Sequence, residues 1–109
     1  MQVYTLNAGT LLLSMTLTER YSNPNDTMTR NYVRIYDPGH SWLEVPIRDV
    51  RAAGVYGKIT QYSYIKGGKQ YLEEDIDMYT FYKAIIDKGY TINIADINVN
   101  DFDTYLSNK

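Results

Sequence analysis

Apolar and polar positions alternate from Leu11 to Thr18, with Leu11, Leu13, Met15 and Leu17 set against Leu12, Ser14, Thr16 and Thr18. A period of two predicts a half-buried strand. Upstream, Gln2 to Leu6 reads as a short strand turning at Asn7-Ala8-Gly9. The polar stretch from Tyr21 to Met28 reads as a loop. Thr29 to Tyr36 alternates again, with Val33 and Ile35 set against Arg30, Tyr32, Arg34 and Tyr36. Asp37-Pro38-Gly39-His40 has turn chemistry, because proline presets φ and glycine accepts positive φ. Ser41 to Val45 is the next predicted strand. Such short connections favour antiparallel neighbours.

Pro46 suits the first turn of a helix, which predicts a helix over Ile47 to Ala53 stopped by Gly54. Ile59 to Ile65 and Tyr71 to Glu74 read as two strands joined by the tight turn Lys66-Gly67-Gly68-Lys69. Counting outward from that turn pairs Tyr64 with Tyr71, Tyr62 with Glu73 and Ser63 with Leu72, so Tyr62, Tyr64, Tyr71 and Glu73 share one face. Met78, Phe81, Tyr82, Ile85 and Ile86 recur at helical spacing. Asp77 is the expected N-cap of that helix and Gly89 its stop. Thr91 to Ile94 is a strand, extended toward Val99 with a bulge where the alternation changes phase. Asn100 or Asp101 caps a final turn carrying Phe102, Tyr105 and Leu106. The expected architecture is one α+β domain over residues 1–109: an antiparallel sheet of five to six strands with two helices packed on one face.

Composition narrows the chemistry. No cysteine is present, which removes disulfides, thiolate metal sites and cysteine nucleophiles. A single histidine, His40, removes multi-histidine metal sites. No apolar run approaches membrane-spanning length and no secretion signal is visible, so a cytoplasmic protein without membrane contact is expected. Tyrosine is in excess: twelve against two phenylalanines and one tryptophan. Its rigid ring and polar tip suit strand faces and also partner surfaces. Charge is divided. Residues 1–70 carry eight Lys/Arg against five Asp/Glu, or +3; residues 71–109 carry three against eight, or −5. Neither half has the basic stripe of a nucleic-acid binder, so direct nucleic-acid binding is not expected.

His40 is the one side chain whose ordinary pKa lies near neutrality. Ser41 is its neighbour, but adjacent strand residues point to opposite faces, which places Ser41 badly as a nucleophile. The plain reading of His40 is a turn residue bonded to its own loop; the enzymatic alternative sets it against Glu73 or Asp75 across the sheet. Glu73, Glu74, Asp75 and Asp77 form the densest acidic cluster. It lacks the pattern of a calcium loop, so no metal is expected there. The ordinary explanation is a solvated strand end followed by helix-capping acids. No glycine-rich segment has phosphate-loop spacing, and no cofactor is expected. Trp42 reads as core before ligand platform.

The order His40-Ser41-Trp42-Leu43-Glu44-Val45-Pro46, then Ile59-Thr60-Gln61-Tyr62-Ser63-Tyr64, then Tyr71-Leu72-Glu73-Glu74-Asp75-Ile76-Asp77 resembles a family of small proteins encoded by bacteriophages, plasmids and other mobile elements. The likeness covers about residues 39–86. It implies no catalytic activity. It does imply a bacterial mobile-element setting, in which small accessory proteins antagonise host defence.

Together these readings point to a non-enzymatic protein-binding module, an inhibitor of a bacterial defence nuclease of the anti-CRISPR kind, with no catalytic residues. Its partner is a protein with a basic groove built for nucleic acid. The expected partner-binding residues are Tyr62, Tyr64, Tyr71, Glu73 and Asp75, with His40 and Trp42 as a further candidate site. The alternatives are a small enzyme built on His40 and a nearby carboxylate, or a nucleic-acid module stacking bases on Tyr62, Tyr64 and Tyr71 with Arg30 and Arg34.

Overall fold

A computed structural model describes the backbone of residues 2–6 and all of residues 28–109. The strand expected at Leu11 to Thr18, the turn at Asn7-Ala8-Gly9 and the loop up to Thr27 lie outside the described residues. Six strands form one sheet: β1 (Gln2–Leu6), β2 (Thr29–Tyr36), β3 (Ser41–Pro46), β4 (Tyr64–Lys66), β5 (Lys69–Glu73) and β6 (Thr91–Asn98), in the order β1-β6-β2-β3-β5-β4. The described helices are α1 (Ile47–Ala52), α2 (Asp77–Asp87) and α3 (Phe102–Ser107). The fold is α+β.

The sheet is mostly antiparallel. The exception is β2 and β6, which run parallel from Thr29 opposite Thr91 to Tyr36 opposite Asn98. Parallel pairing needs a long crossover, and the 11-residue α2 between β5 and β6 supplies it. Local turn signals reveal hairpins; they carry no information about where a strand lands after a helix.

Each face of the sheet is covered. On one face Tyr32, Leu43, Val45, Leu72, Ile92 and Ile94 meet Val50 of α1 and the expected stripe of α2, Met78, Phe81, Tyr82, Ile85 and Ile86. On the other, Ile35, Trp42 and Tyr71 meet Phe102 of α3. The third helix therefore lies opposite the two that were expected. Asp101 caps it by accepting the Thr104 N–H at 2.9 Å. Burial of the second face also explains the phase change along β6. Ile92 and Ile94 face α2, whereas Ile97 packs toward α3, so the strand runs from Thr91 to Asn98 without the expected bulge.

The helix and hairpin signals hold at both ends of the middle segment. Pro46 precedes α1, and Gly54 has φ +79° after it. Gly67 and Gly68 have φ of +59° and +77°, as a two-residue hairpin requires. Tyr64 lies opposite Tyr71, as counted from the turn. The strand before this turn is shorter than expected. It begins at Tyr64, and Tyr56–Lys58 forms a 3-10 turn. The ladder ends at Tyr64, so neither Tyr62–Glu73 nor Ser63–Leu72 forms as a strand pair.

Candidate functional site

The reason that strand is short lies on α2. Asp77 is fully buried at the first position of the helix. Its carboxylate accepts the Thr60 N–H, the Thr60 hydroxyl at 2.7 Å and the Ser63 hydroxyl. A buried carboxylate must be satisfied this way, and it draws residues 60–63 out of the ladder. The Ser63 hydroxyl in turn accepts the Glu73 N–H at 3.0 Å, where a strand would have offered a carbonyl. The bend carries Tyr62 outward, where it is 65% exposed.

Asp77 is thus not the cap of α2 but its first residue; Ile76 precedes it without a side-chain cap, and Glu73 holds the turn that leads in. The Glu73 carboxylate accepts the Asp75 and Ile76 N–H groups at 2.7 Å and the Asp77 N–H at 3.0 Å. The Ile76 and Asp77 N–H groups are orphan donors at the helix start and the Asp75 N–H belongs to the turn before it; a carboxylate is a strong acceptor for all three. Glu73 is 9% exposed. It is not a free charge for a partner, because its function is inside the fold. Tyr71 also lies inside, at 1% exposure, with its hydroxyl donating to Glu44 at 2.9 Å. Burial, then that hydrogen bond, pushes the Tyr71 phenol well above its ordinary pKa and keeps it protonated.

The turn before β3 positions His40. Asp37 Oδ1 accepts the N–H groups of Gly39 and His40 at 2.9 Å, and Oδ2 accepts the Phe102 N–H at 3.1 Å. One carboxylate thus fixes the turn and ties it to the start of α3. The His40 N–H first, then those of Phe102 and Gly39, hold the Asp37 carboxyl below the ordinary carboxylate range. The folded state therefore binds the proton less readily than the unfolded chain. The stabilisation is present above the unfolded pKa and is lost as pH falls through the folded one. Comparison of urea midpoints for wild type and Asp37→Ala should give a gap at neutral pH that narrows below about pH 4. A gap independent of pH would mean that the ionised carboxylate has no part in holding the turn.

His40, Ser41, Trp42, Tyr62, Tyr64, Glu73, Glu74, Asp75 and Ile76 line one cleft of about 290 Å³. Every sequence-expected site residue except Tyr71 is on its wall. Trp42 stacks on Phe102 with centroids 3.8 Å apart and planes 13° from parallel, and the His40 ring meets Trp42 edge-on at 5.9 Å. Trp42 is accordingly both core and wall. Tyr64 leans on Phe102 at 5.7 Å. Lys66 reaches past it to donate to the Leu106 carbonyl at 2.7 Å, fastening β4 to the end of α3.

The carboxylate that meets His40 is Glu74, not Glu73 or Asp75. His40 Nδ1 lies 3.1 Å from Glu74 Oε1, and the Ser41 hydroxyl donates to Glu74 Oε2 at 3.1 Å. The order matters. In a catalytic triad the imidazole stands between nucleophile and acid. Here the carboxylate stands between serine and imidazole, which makes a clamp joining the starts of β3 and the β5–α2 connection. Sequence reasoning treated Glu74 as a solvated strand end and set Ser41 aside. The β3–β5 register, Trp42 opposite Glu73, is what brings residues 41 and 74 together. Nothing in the local pattern says which strand β3 pairs with on its far side.

Of the residues of the stacking alternative, Tyr62 and Tyr64 line the cleft and Tyr71 is buried, while Arg34 is bound to Asp96 at 3.0 and 3.2 Å and Arg30 sits over Tyr90 at 4.3 Å. Among the described residues no group of three or more His, Asp or Glu is placed to hold a metal ion, and no helix is long and apolar enough to cross a membrane. Comparison with protein-family models, curated proteins and solved structures finds no match.

Proposed function

We propose that this domain is a non-enzymatic binding module, and that the cleft between the β4 edge and the start of α2 captures a basic surface of a protein partner. One observation carries the reading. Of the six large apolar side chains exposed among the described residues, three, Tyr62, Tyr64 and Ile76, line this acidic cleft. Exposed tyrosines beside carboxylates with no Lys or Arg on the same wall are suited to an interface that anchors by aromatic burial and steers by charge. The Glu74-centred clamp supports binding over serine–imidazole chemistry, because the Ser41 hydroxyl donates to the carboxylate and the imidazole lies on that carboxylate's other oxygen. The likeness to mobile-element proteins adds the partner class: a host nuclease whose basic groove is built for nucleic-acid phosphates.

The test is affinity capture from bacterial lysate with wild type, Tyr62→Ala/Tyr64→Ala and Asp75→Lys in parallel. A protein retained by wild type should bind the double tyrosine variant at least about thirtyfold more weakly. Asp75→Lys should slow association and flatten its salt dependence. A partner captured equally by all three would place the binding surface elsewhere on the molecule.

A further inference from the structure

We infer that the cleft is a receptor for a single guanidinium group, held between the tyrosine rings and the carboxylates of Glu74 and Asp75. The inference deepens the binding reading above and rests on the same cleft. Three of the lining residues are carboxylates, and none is Lys or Arg. Glu73 is consumed by the three N–H groups of Asp75, Ile76 and Asp77 where the chain enters α2. Glu74 is met only by a hydroxyl and an imidazole. Asp75 is exposed, and its carboxylate has no hydrogen-bond or ion-pair partner among the described residues. Two neighbouring carboxylates thus border an aromatic wall that, among the described residues, holds no Lys or Arg; the one titratable base on it is His40, on Glu74.

The same molecule displays the complementary arrangement elsewhere. Arg30 lies over Tyr90 at 4.3 Å, Arg51 over Tyr56 at 4.1 Å and Arg34 over Tyr36 at 4.9 Å. Tyr62 and Tyr64 have the ring but, among the described residues, no Lys or Arg over it. A cation within about 6 Å of a tyrosine centroid is attracted to the ring face. Arginine fits better than lysine, because its planar, weakly hydrated group can stack on a ring while its fork donates to a carboxylate. The volume agrees: about 290 Å³ falls just below the roughly 300–1,000 Å³ of small-ligand pockets, enough for one side chain or a small organic cation.

Trp42 is the chain's only tryptophan and lines the cleft, so its fluorescence reports occupancy directly. Titration with Nα-acetyl-arginine amide should give a saturable change, with Nα-acetyl-lysine amide a weaker one, and with neutral Nα-acetyl-norleucine amide none. Asp75→Asn and Glu74→Gln should each weaken arginine binding by about tenfold. Tyr62→Ala should weaken it several-fold while Tyr62→Phe leaves it unchanged, because the ring face is the contact. A norleucine response equal to arginine's, or an arginine affinity unmoved by both carboxylate variants, would overturn the inference. A short glycine-flanked arginine peptide separates the sources. Tighter binding than the free amide assigns the group to a protein segment, and equal binding assigns it to a small molecule; either outcome keeps the guanidinium. Partner capture that depends on Tyr62 and Tyr64 without any arginine response overturns this inference alone. An arginine response with capture indifferent to those tyrosines overturns the protein-binding reading alone.

Discussion

Phe81→Ala is expected to cost about 3–5 kcal/mol of folding stability, the range for emptying a buried aromatic site. Phe81 is fully buried in the centre of the α2 stripe, its ring edge-on to Tyr32 of β2 at 5.4 Å. The cavity would open between the helix and the middle of the sheet, where α1, β2 and β6 also converge and none can move in freely. A domain of this size holds about 5–15 kcal/mol in all, so this one change removes a large part of it. The urea midpoint should fall without a change in slope, and Tm should drop by about 15 °C or more. A loss below about 1 kcal/mol would show that α2 does not seat on the sheet through Phe81.

Glu73→Lys should be at least as damaging, at about 4 kcal/mol or more, and should leave much of the chain unfolded. The substitution removes the acceptor for the Asp75, Ile76 and Asp77 N–H groups and puts a cation among them at the positive end of α2. Glu73 also neighbours the Ser63 hydroxyl that links the 60–63 bend to Asp77, so the bend bearing Tyr62 should loosen with the helix start. Asp75→Lys, two residues away, should change stability by no more than about 0.5 kcal/mol, because that side chain is exposed and unpaired among the described residues. Thermal unfolding of the two variants side by side separates the roles. Equal tolerance of both would mean that Glu73 is a surface charge after all and that the turn into α2 does not depend on it.

That contrast marks where local reasoning reaches its end. Glu73, Glu74, Asp75 and Asp77 look alike as a run of acids, and strand alternation alone assigned them to surface or cap. In the fold they have four different environments: a buried acceptor holding the turn into α2, a clamp on His40 and Ser41, an exposed mouth carboxylate, and a buried anchor for Thr60 and Ser63. Tyr62, Tyr64 and Tyr71 diverge in the same way. The Gly67-Gly68 turn places Tyr64 opposite Tyr71, but only the arrival of Phe102 on that face decides that Tyr71 is core while Tyr64 remains half exposed.

What the sequence determined by itself is therefore the set of features that depend on a few neighbouring residues. These are the strand period of Thr29 to Tyr36, the Asp37-Pro38-Gly39 turn, the glycine hairpin, the helix stops at Gly54 and Gly89, and the apolar stripe of α2. Backbone sterics and side-chain periodicity act over one or two turns, and they leave their mark in order along the chain. The parallel seating of β6 beside β2, the placing of α3 on the opposite face and the convergence of His40 with Glu74 belong to the tertiary structure alone. Each brings together residues separated by 30 positions or more, such as the 34 between His40 and Glu74 or the 65 between Asp37 and Phe102. Such contacts are set by which apolar faces can be buried together once all the elements exist, and that is a property of the whole core.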